Sequence, residues 1–279
     1  MTKDGNKIAV VTGAGGTLCS AVAIDLASQG YKVVLVGRSL DKLAKTEAAI
    51  KENGGDCICV SADVKDDAQV RALRDKVAET YGLCDVLING AGGNQPDAVT
   101  TINHFDPAEL EDGFQGRGFF NLDMNRFLDV INTNIMGTVI PCEVFSRDMV
   151  ASGGGAIVNF ASMNTYRPLS RVPAYALSKA GVSNFTQWLA AYLAPAGIRV
   201  NAVAPGFFLN DRSRKLLLTP DGGYSERGAN IMHNTPMKRF GEAEDLLGCI
   251  NWLIDNEKAA FVTGITVPVD GGFLSDSGL

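Results

Sequence analysis

The sequence is poor in the residues that build several common kinds of site. It has only two histidines, His104 and His233, and its six cysteines (Cys19, Cys57, Cys59, Cys84, Cys142 and Cys249) form no Cys-x-x-Cys pair. Metal centres draw on clustered His and Cys, so no metal site is expected. The thiols read as reduced and mostly buried, because free Cys behaves as a small hydrophobe. No stretch reaches the roughly 18 apolar residues of a membrane span. The polar opening MTKDGNK lacks the apolar run of a signal peptide, so a cytoplasmic location is expected. Surplus positive charge is missing too. Lys and Arg number 25 against 31 Asp and Glu, a formal net charge of −6. That argues against a nucleic-acid partner but not against a local basic pocket. Repeats, low-complexity tracts and linkers are absent, and the 279 residues read as one domain, 1–279.

What is present is alternation. Short apolar runs occur at KIAVVTG (7–13), KVVLVGR (32–38), DCICVSADV (56–64), CDVLING (84–90), GGAIVNFAS (154–162), IRVNAVAPG (198–206) and GITVPVDGG (264–272). Helical spacing fills 18–30, 39–55, 66–82, 124–152, 173–197 and 242–256, with Gly30 as a C-terminal stop and a small-residue kink expected near Gly137. Strand–helix alternation with continuous apolar strands predicts βαβ units and a parallel sheet buried on both faces. Two stretches break the pattern, 91–123 and 207–240, both read as irregular.

Ligands on an open parallel sheet bind beyond the carboxyl ends of the strands. Those ends carry TGAGGT, GR, DV, NGAGG, AS and APG, small residues that admit a close ligand, although any single glycine could simply make a turn. Tyr175 and Lys179 in YALSK share one helix face at i, i+4. An ammonium beside a phenol favours the phenolate, which predicts a lowered tyrosine pKa and a proton-transfer role near neutral pH. The pair alone is common. Ser162, however, ends the preceding strand where a second hydroxyl could reach the same oxygen, and Asn134 sits mid-helix where Asn is a mediocre helix former.

The ordered set VTGAGGTLC, ADV, NGAGG, NTNIMG, FAS, YALSK, IRVNAVAPG and FVTGITVPVDGG resembles the short-chain dehydrogenase/reductase family over nearly the whole chain. The resemblance implies an α/β, Rossmann-type doubly wound parallel sheet of about seven strands in the order 3-2-1-4-5-6-7, with helices on both faces. It implies an NAD(P)-dependent oxidoreductase and a homotetramer, pairing the helices of Asn134 and Tyr175 and the C-terminal strands; NFTQWLAAYLA (184–194) would suit such a face or the core. The family tetrad falls on Asn134, Ser162, Tyr175 and Lys179. Tyr175 would exchange the proton and Ser162 polarise the substrate oxygen. Lys179 would hold the nicotinamide ribose and tune the tyrosine, and Asn134 would support a water-linked relay. Cofactor contacts would fall on Gly13, Gly15, Gly16, Thr17, Leu18, Arg38, Ser39, Asp63, Val64, Asn89, Ala91, Gly92, Tyr175, Lys179, Pro205, Gly206 and Phe208.

The glycine loop departs from the family, which places glycines at positions 13, 17 and 19; here Thr17 and Cys19 replace the last two. Thr17 could cap the helix or bind phosphate, Cys19 is small enough to pack tightly, and Gly15 and Gly16 restore slack. Gly37 stands where an NAD enzyme carries an acid, and Arg38 follows it. NADP(H) is therefore favoured, with Arg38 on the 2′-phosphate; the alternative, NAD(H), leaves Arg38 to stack on adenine.

GAGGNQP, SMNTYRPL, PGFFLNDRSRKLL, RGANIMHNTPMKRFGE and VDGGF resemble a narrower group, the D-mannonate oxidoreductases or fructuronate reductases. That implies a small sugar-acid substrate, covered by segments 93–123 and 207–240. A sugar acid needs a cation and several polar groups. Arg167, Arg171, Arg212, Arg214 and Arg227 are candidates for its carboxylate, and Asn94, Asn164, Asn210 and His233 for its hydroxyls; solvated loop charge is the plainer reading of each. The preferred substrate set is Asn94, Ser162, Asn164, Tyr175, Asn210 and Arg212, with Asn210 equally able to meet the nicotinamide amide. Three other readings stay open: a reductase of another polyol or keto-acid such as 5-ketogluconate, a dinucleotide sensor without turnover, and a structural protein, which gives the tetrad no purpose.

Overall fold

The computed structural model describes residues 7–276, apart from the side chains of Asp211 and Arg212. Seven parallel strands form one sheet: β1 (Ile8–Thr12), β2 (Lys32–Gly37), β3 (Asp56–Ser61), β4 (Val86–Asn89), β5 (Gly155–Phe160), β6 (Ile198–Pro205) and β7 (Thr266–Val269). Their order is β3-β2-β1-β4-β5-β6-β7. The chain order reverses between β1 and β4, so the crevice at their carboxyl ends is the switch point.

Side-chain alternation along each strand feeds two cores. Ala9 and Val11 of β1 pack with Val22 and Leu26 of α1 (Thr17–Ser28) and Leu253 of α8 (Leu247–Ile254). Ile8 and Val10 face the other way, toward Leu73 of α3 (Asp67–Thr80), Phe145 of α4 (Met124–Ser152) and Leu189 of α5 (Pro173–Leu193). The remaining crossover helix, α2 (Leu40–Glu52), covers β2 and β3. No helix among the described residues is long and apolar enough to cross a membrane.

The two segments read as irregular differ from each other. Residues 91–123 contain only two 3-10 turns, Pro96–Ala98 and Pro107–Leu110. Residues 207–240 instead hold α6 (Asp211–Leu217) and α7 (Glu226–His233), which share a small core of Leu209, Leu217, Ile231, Met232 and Phe240. At Gly137, where a small-residue kink is expected, α4 is unbroken, with Pro141 one turn on, and a Cβ on the glycine would stand 2.9 Å from Val64 Cγ2. The glycine permits this close approach.

A similar close approach explains the altered glycine loop. Cys19 is buried on α1, and its Sγ occupies the space that a Cβ on Gly90 would fill. The side chain gained at position 19 is thus matched by the side chain missing at position 90. Burial pushes the Cys19 thiol up to about 12, so it is an inert packing group. Gly90→Ala should therefore lower stability by about 1–3 kcal/mol through overpacking, and adding Cys19→Gly should recover most of it. Thermal melting of the single and double variants reads this directly, and additive losses would contradict the pairing.

Candidate active site

The loop between β1 and α1 packs closely on the end of β4. Gly13 has φ 71°, and a Cβ there would meet Ala91 N and Gly90 C at 2.9 Å. Thr12 Oγ1 accepts from the N–H groups of Gly90 and Ala91, each at 3.1 Å, tying the end of β1 to the end of β4. Helix α1 begins at Thr17, with Gly16 at its N-cap and no side chain capping it. Thr17 is thus the first helical residue and not the cap, which leaves the first-turn N–H groups open to an anion.

A cavity of about 820 Å³ lies over this loop. Gly13, Gly15, Gly16, Thr17, Leu18, Arg38, Ser39, Asp63, Val64, Ala91 and Gly92 line it, as the sequence placed them, together with Lys42, Lys45, Thr133 and Asn210. Sequence reading missed Lys42 and Lys45, although both fall in the first turns of a helix that follows a cofactor-facing strand. Other expected contacts stand elsewhere. Asn89 is sealed in the sheet, donating to Asn159 Oδ1 at 2.9 Å and to Cys142 Sγ at 3.1 Å. Pro205 is the buried end of β6, and Gly206 donates to Val269 C=O at 2.9 Å. Phe208 turns away into a separate cavity of about 380 Å³, beside Phe207 and Gly241.

The four tetrad positions gather beside the dinucleotide cavity. Asn134 is fully buried; its Nδ2 donates to the C=O groups of Gly93 at 2.8 Å and Val130 at 2.9 Å, and its Oδ1 accepts from Gly93 N–H at 3.0 Å. It therefore pins the first residues of the 93–123 segment. A Cβ on Gly92 would stand 2.5 Å from Asn134 Oδ1 and 3.5 Å from Lys179 Nζ, which places these groups side by side. Lys179 is buried, donates to Phe160 C=O at 2.6 Å, and lies 5.6 Å from the centre of the Tyr175 ring. Tyr175 is half-buried against Ala98, Val130 and Ala174, and the Ser162 side chain acts on its phenol in the direction that lowers its pKa.

The electrostatics correct the sequence expectation. Burial pushes the Tyr175 phenol above its ordinary value, opposed by the Ser162 side chain and not by Lys179. The same burial lowers Lys179 to about 8. The ammonium is committed to a backbone carbonyl, so desolvation dominates both groups where helix spacing alone suggested attraction.

The substrate candidates are placed unevenly. Asn94 is half-buried, with Oδ1 accepting from Gln95 N–H at 2.9 Å. Asn210 lines the dinucleotide cavity while its Oδ1 accepts from Ser213 N–H at 2.9 Å. Asn164 is buried against Ser162. Arg212 lies on α6 directly after Asn210, and its side chain is outside the described residues. Of the other arginines, Arg171 Nε donates to Thr100 C=O at 2.9 Å and Arg167 Nη1 to Asp276 C=O at 3.4 Å, while Arg214 pairs with Glu242 at 3.2 Å. Arg227 and His233 are exposed on α7.

Comparison with known proteins places this geometry. An uncharacterised oxidoreductase of Bacillus subtilis is 44% identical over 273 residues, spanning 98% of this chain and 96% of its own. The crystal structure of a candidate D-mannonate oxidoreductase from Haemophilus influenza with bound NAD superposes with a TM-score of 0.93 at 40% identity, covering 99% of this chain and 97% of the other. A candidate gluconate 5-dehydrogenase from Beutenbergia cavernae, with NADP bound at low occupancy, gives 0.79 at 31% identity over 98% of both chains. The short chain dehydrogenase model matches residues 7–219, and with the parallel sheet and the switch-point crevice this establishes that the chain is an oxidoreductase of the short-chain dehydrogenase family.

Proposed function

We propose that the protein interconverts D-fructuronate and D-mannonate by hydride transfer with NADP(H), using Asn134, Ser162, Tyr175 and Lys179. The observation that carries the reading is that Gly92, in the wall of a glycine-lined cavity large enough for a dinucleotide, lies against Asn134 and Lys179, with the Tyr175 ring 5.6 Å from Lys179 Nζ. The bound nicotinamide supplies or accepts the hydride. In the reductive direction Ser162 donates a hydrogen bond to the keto oxygen and Tyr175 delivers the proton that completes the hydroxyl. Lys179 holds positive charge beneath the phenol as it becomes phenolate. Asn134 keeps the floor of the covering segment closed against Gly93.

Charge favours NADP(H). Arg38, Lys42, Lys45 and Lys65 line the cavity against a single carboxylate, Asp63, and none of the four cations has an ion-pair partner among the described residues. The Haemophilus relative holds NAD and the Beutenbergia one NADP, so likeness alone does not choose. Arg38→Ala should lower kcat/KM for NADPH about 10–100-fold, the worth of a charge-assisted phosphate contact, with NADH nearly unchanged. Wild-type efficiency tenfold higher with NADH would contradict the preference.

The substrate is argued from the near-complete overlap with the candidate D-mannonate oxidoreductase. Arg167, Arg171 and Arg214 are bonded elsewhere and Arg227 is exposed, which supports Arg212, two residues along the chain from cavity-lining Asn210, as the group for the substrate carboxylate. Arg212→Met should raise KM for the sugar acid about 10–100-fold with little change in kcat. Likeness to the gluconate 5-dehydrogenase supports a second reading, a 5-ketogluconate reductase. A panel of keto-sugar acids with both cofactors separates them: the highest kcat/KM falls on D-fructuronate in the first reading and on 5-ketogluconate in the second. The stack of exposed Trp188 and Tyr192 on half-buried Phe185 of α5 supports a homotetramer, and a cytoplasmic location completes the proposal.

A further inference from the structure

We propose that Asn164 is a positioning residue that fixes Ser162 as a hydrogen-bond donor, by filling both acceptor sites of its hydroxyl with N–H groups. The inference deepens the reading of Ser162 and Tyr175 as the groups at the reacting oxygen, and rests on it.

Asn164 sits in the 3-10 turn Met163–Thr165 that follows β5, and is only 5% exposed. Its backbone N–H and its side-chain Nδ2 both donate to Ser162 Oγ, each at 3.2 Å. The orientation of the amide is fixed by the other contact. Leu169 N–H donates to Asn164 Oδ1 at 2.9 Å, and an N–H cannot donate to an NH2 group, so the oxygen faces Leu169 and the nitrogen faces Ser162.

A serine hydroxyl has two lone pairs and one proton. With both lone pairs met by Asn164, the proton has to point away from it, toward the side of the Tyr175 phenol that Ser162 influences. A keto oxygen entering this place can only accept. A free hydroxyl would present lone pairs to it for part of the time, whereas the held hydroxyl is already aimed as a donor. Thr165 Oγ1 donates to Lys179 C=O at 2.9 Å, so the same turn is latched to the helix that carries Tyr175 and Lys179. Sequence reading put Asn164 on the substrate; its Oδ1 and one Nδ2 hydrogen are instead spent within the protein, and the residue acts through Ser162.

The test is a double-mutant cycle with a substrate-free readout. Asn164→Asp keeps the size and the Leu169 contact, but its carboxylate only accepts, so it captures the Ser162 proton and turns the hydroxyl away from Tyr175. We expect kcat to fall about 10–100-fold, below the full loss of an oxyanion donor, with KM for keto substrate and cofactor within about threefold. In a Ser162→Ala background the same substitution should change kcat less than about twofold. Difference titration of phenolate absorbance against Tyr175→Phe should show the Tyr175 midpoint moving to higher pH in Asn164→Asp. An equal loss in the Ser162→Ala background, a change confined to KM, or an unmoved midpoint would each overturn the proposal. If Asn164→Asp fails to melt cooperatively, Asn164→Ala replaces it, with a smaller loss that must likewise vanish without Ser162. The titration needs no substrate and the cycle runs on whichever keto-acid is reduced, so failure of D-fructuronate as substrate is scored separately.

Discussion

Tyr175→Phe should lower kcat by about 10²–10⁴-fold, the range of a positioned proton donor, while leaving the fold and dinucleotide affinity unchanged. The phenyl ring keeps its packing against Ala98, Val130 and Ala174, so only the hydroxyl is lost. Because burial holds the phenol above its ordinary pKa, Tyr175 stays protonated throughout the neutral range and is ready to give its proton to a keto oxygen. Steady-state rates together with dinucleotide titration of the variant check both halves. A variant that keeps kcat within about tenfold of wild type would remove Tyr175 from the chemistry. Wild type that binds dinucleotide and reduces no carbonyl would favour the sensor reading.

Lys179→Met has the second large effect, and it runs in opposite directions for rate and stability. Lys179 titrates at about 8 in the folded protein against an ordinary value of 10.5. Between those values the unfolded chain binds a proton that the folded one does not, so stability rises with pH across that window. Below about 8 the buried charge has to be carried, at a cost on the order of 3 kcal/mol for the shift. Methionine removes that cost but leaves Phe160 C=O without its donor, worth roughly 1 kcal/mol. The variant should therefore be more stable than wild type at neutral pH, with the advantage fading as pH climbs toward 10.5. Its reductive rate should fall about 10²-fold or more, because no cation remains beneath the forming phenolate. In the wild type the ionisation near 8 should appear as the alkaline limb of kcat/KM for reduction, and it should be absent in Lys179→Arg, which stays charged. Denaturant melts across pH, paired with pH–rate profiles, measure all of this. A Lys179→Met protein less stable than wild type at pH 7 would contradict the buried-charge account.

Much of this protein is legible before any coordinates, for a physical reason. Parallel strands buried on both faces must be apolar at nearly every position, so VVLV of β2 and AIV of β5 announce themselves. The long helices carry enough turns for periodicity to show. Helices α6 and α7 are two turns each and lie among Asp, Gly and Pro, so their pattern never accumulates. At the site, Gly13 was readable because a turn at φ 71° against the backbone of Gly90 and Ala91 leaves no room for a side chain. The partnership of Cys19 with Gly90 was not, since it joins residues far apart in the chain through one filled space. The pKa of Tyr175 was misjudged because i, i+4 spacing reports proximity and says nothing about burial or about Phe160 C=O claiming the ammonium. Asn164 was singled out because it follows Ser162 by two residues; the Leu169 contact that orients its amide toward Ser162 exists only in the folded turn.

The central claim is that a hydride from reduced dinucleotide reaches the keto carbon of a sugar acid while Tyr175 supplies the proton. Incubation of the protein with D-fructuronate and NADPH deuterated on the transferable position of the nicotinamide tests it most directly. The account predicts D-mannonate carrying one deuterium on the new carbinol carbon, formed in step with cofactor oxidation and lost in Tyr175→Phe. Cofactor oxidation with no deuterium in the product, or D-mannonate formed equally fast by Tyr175→Phe, would contradict it.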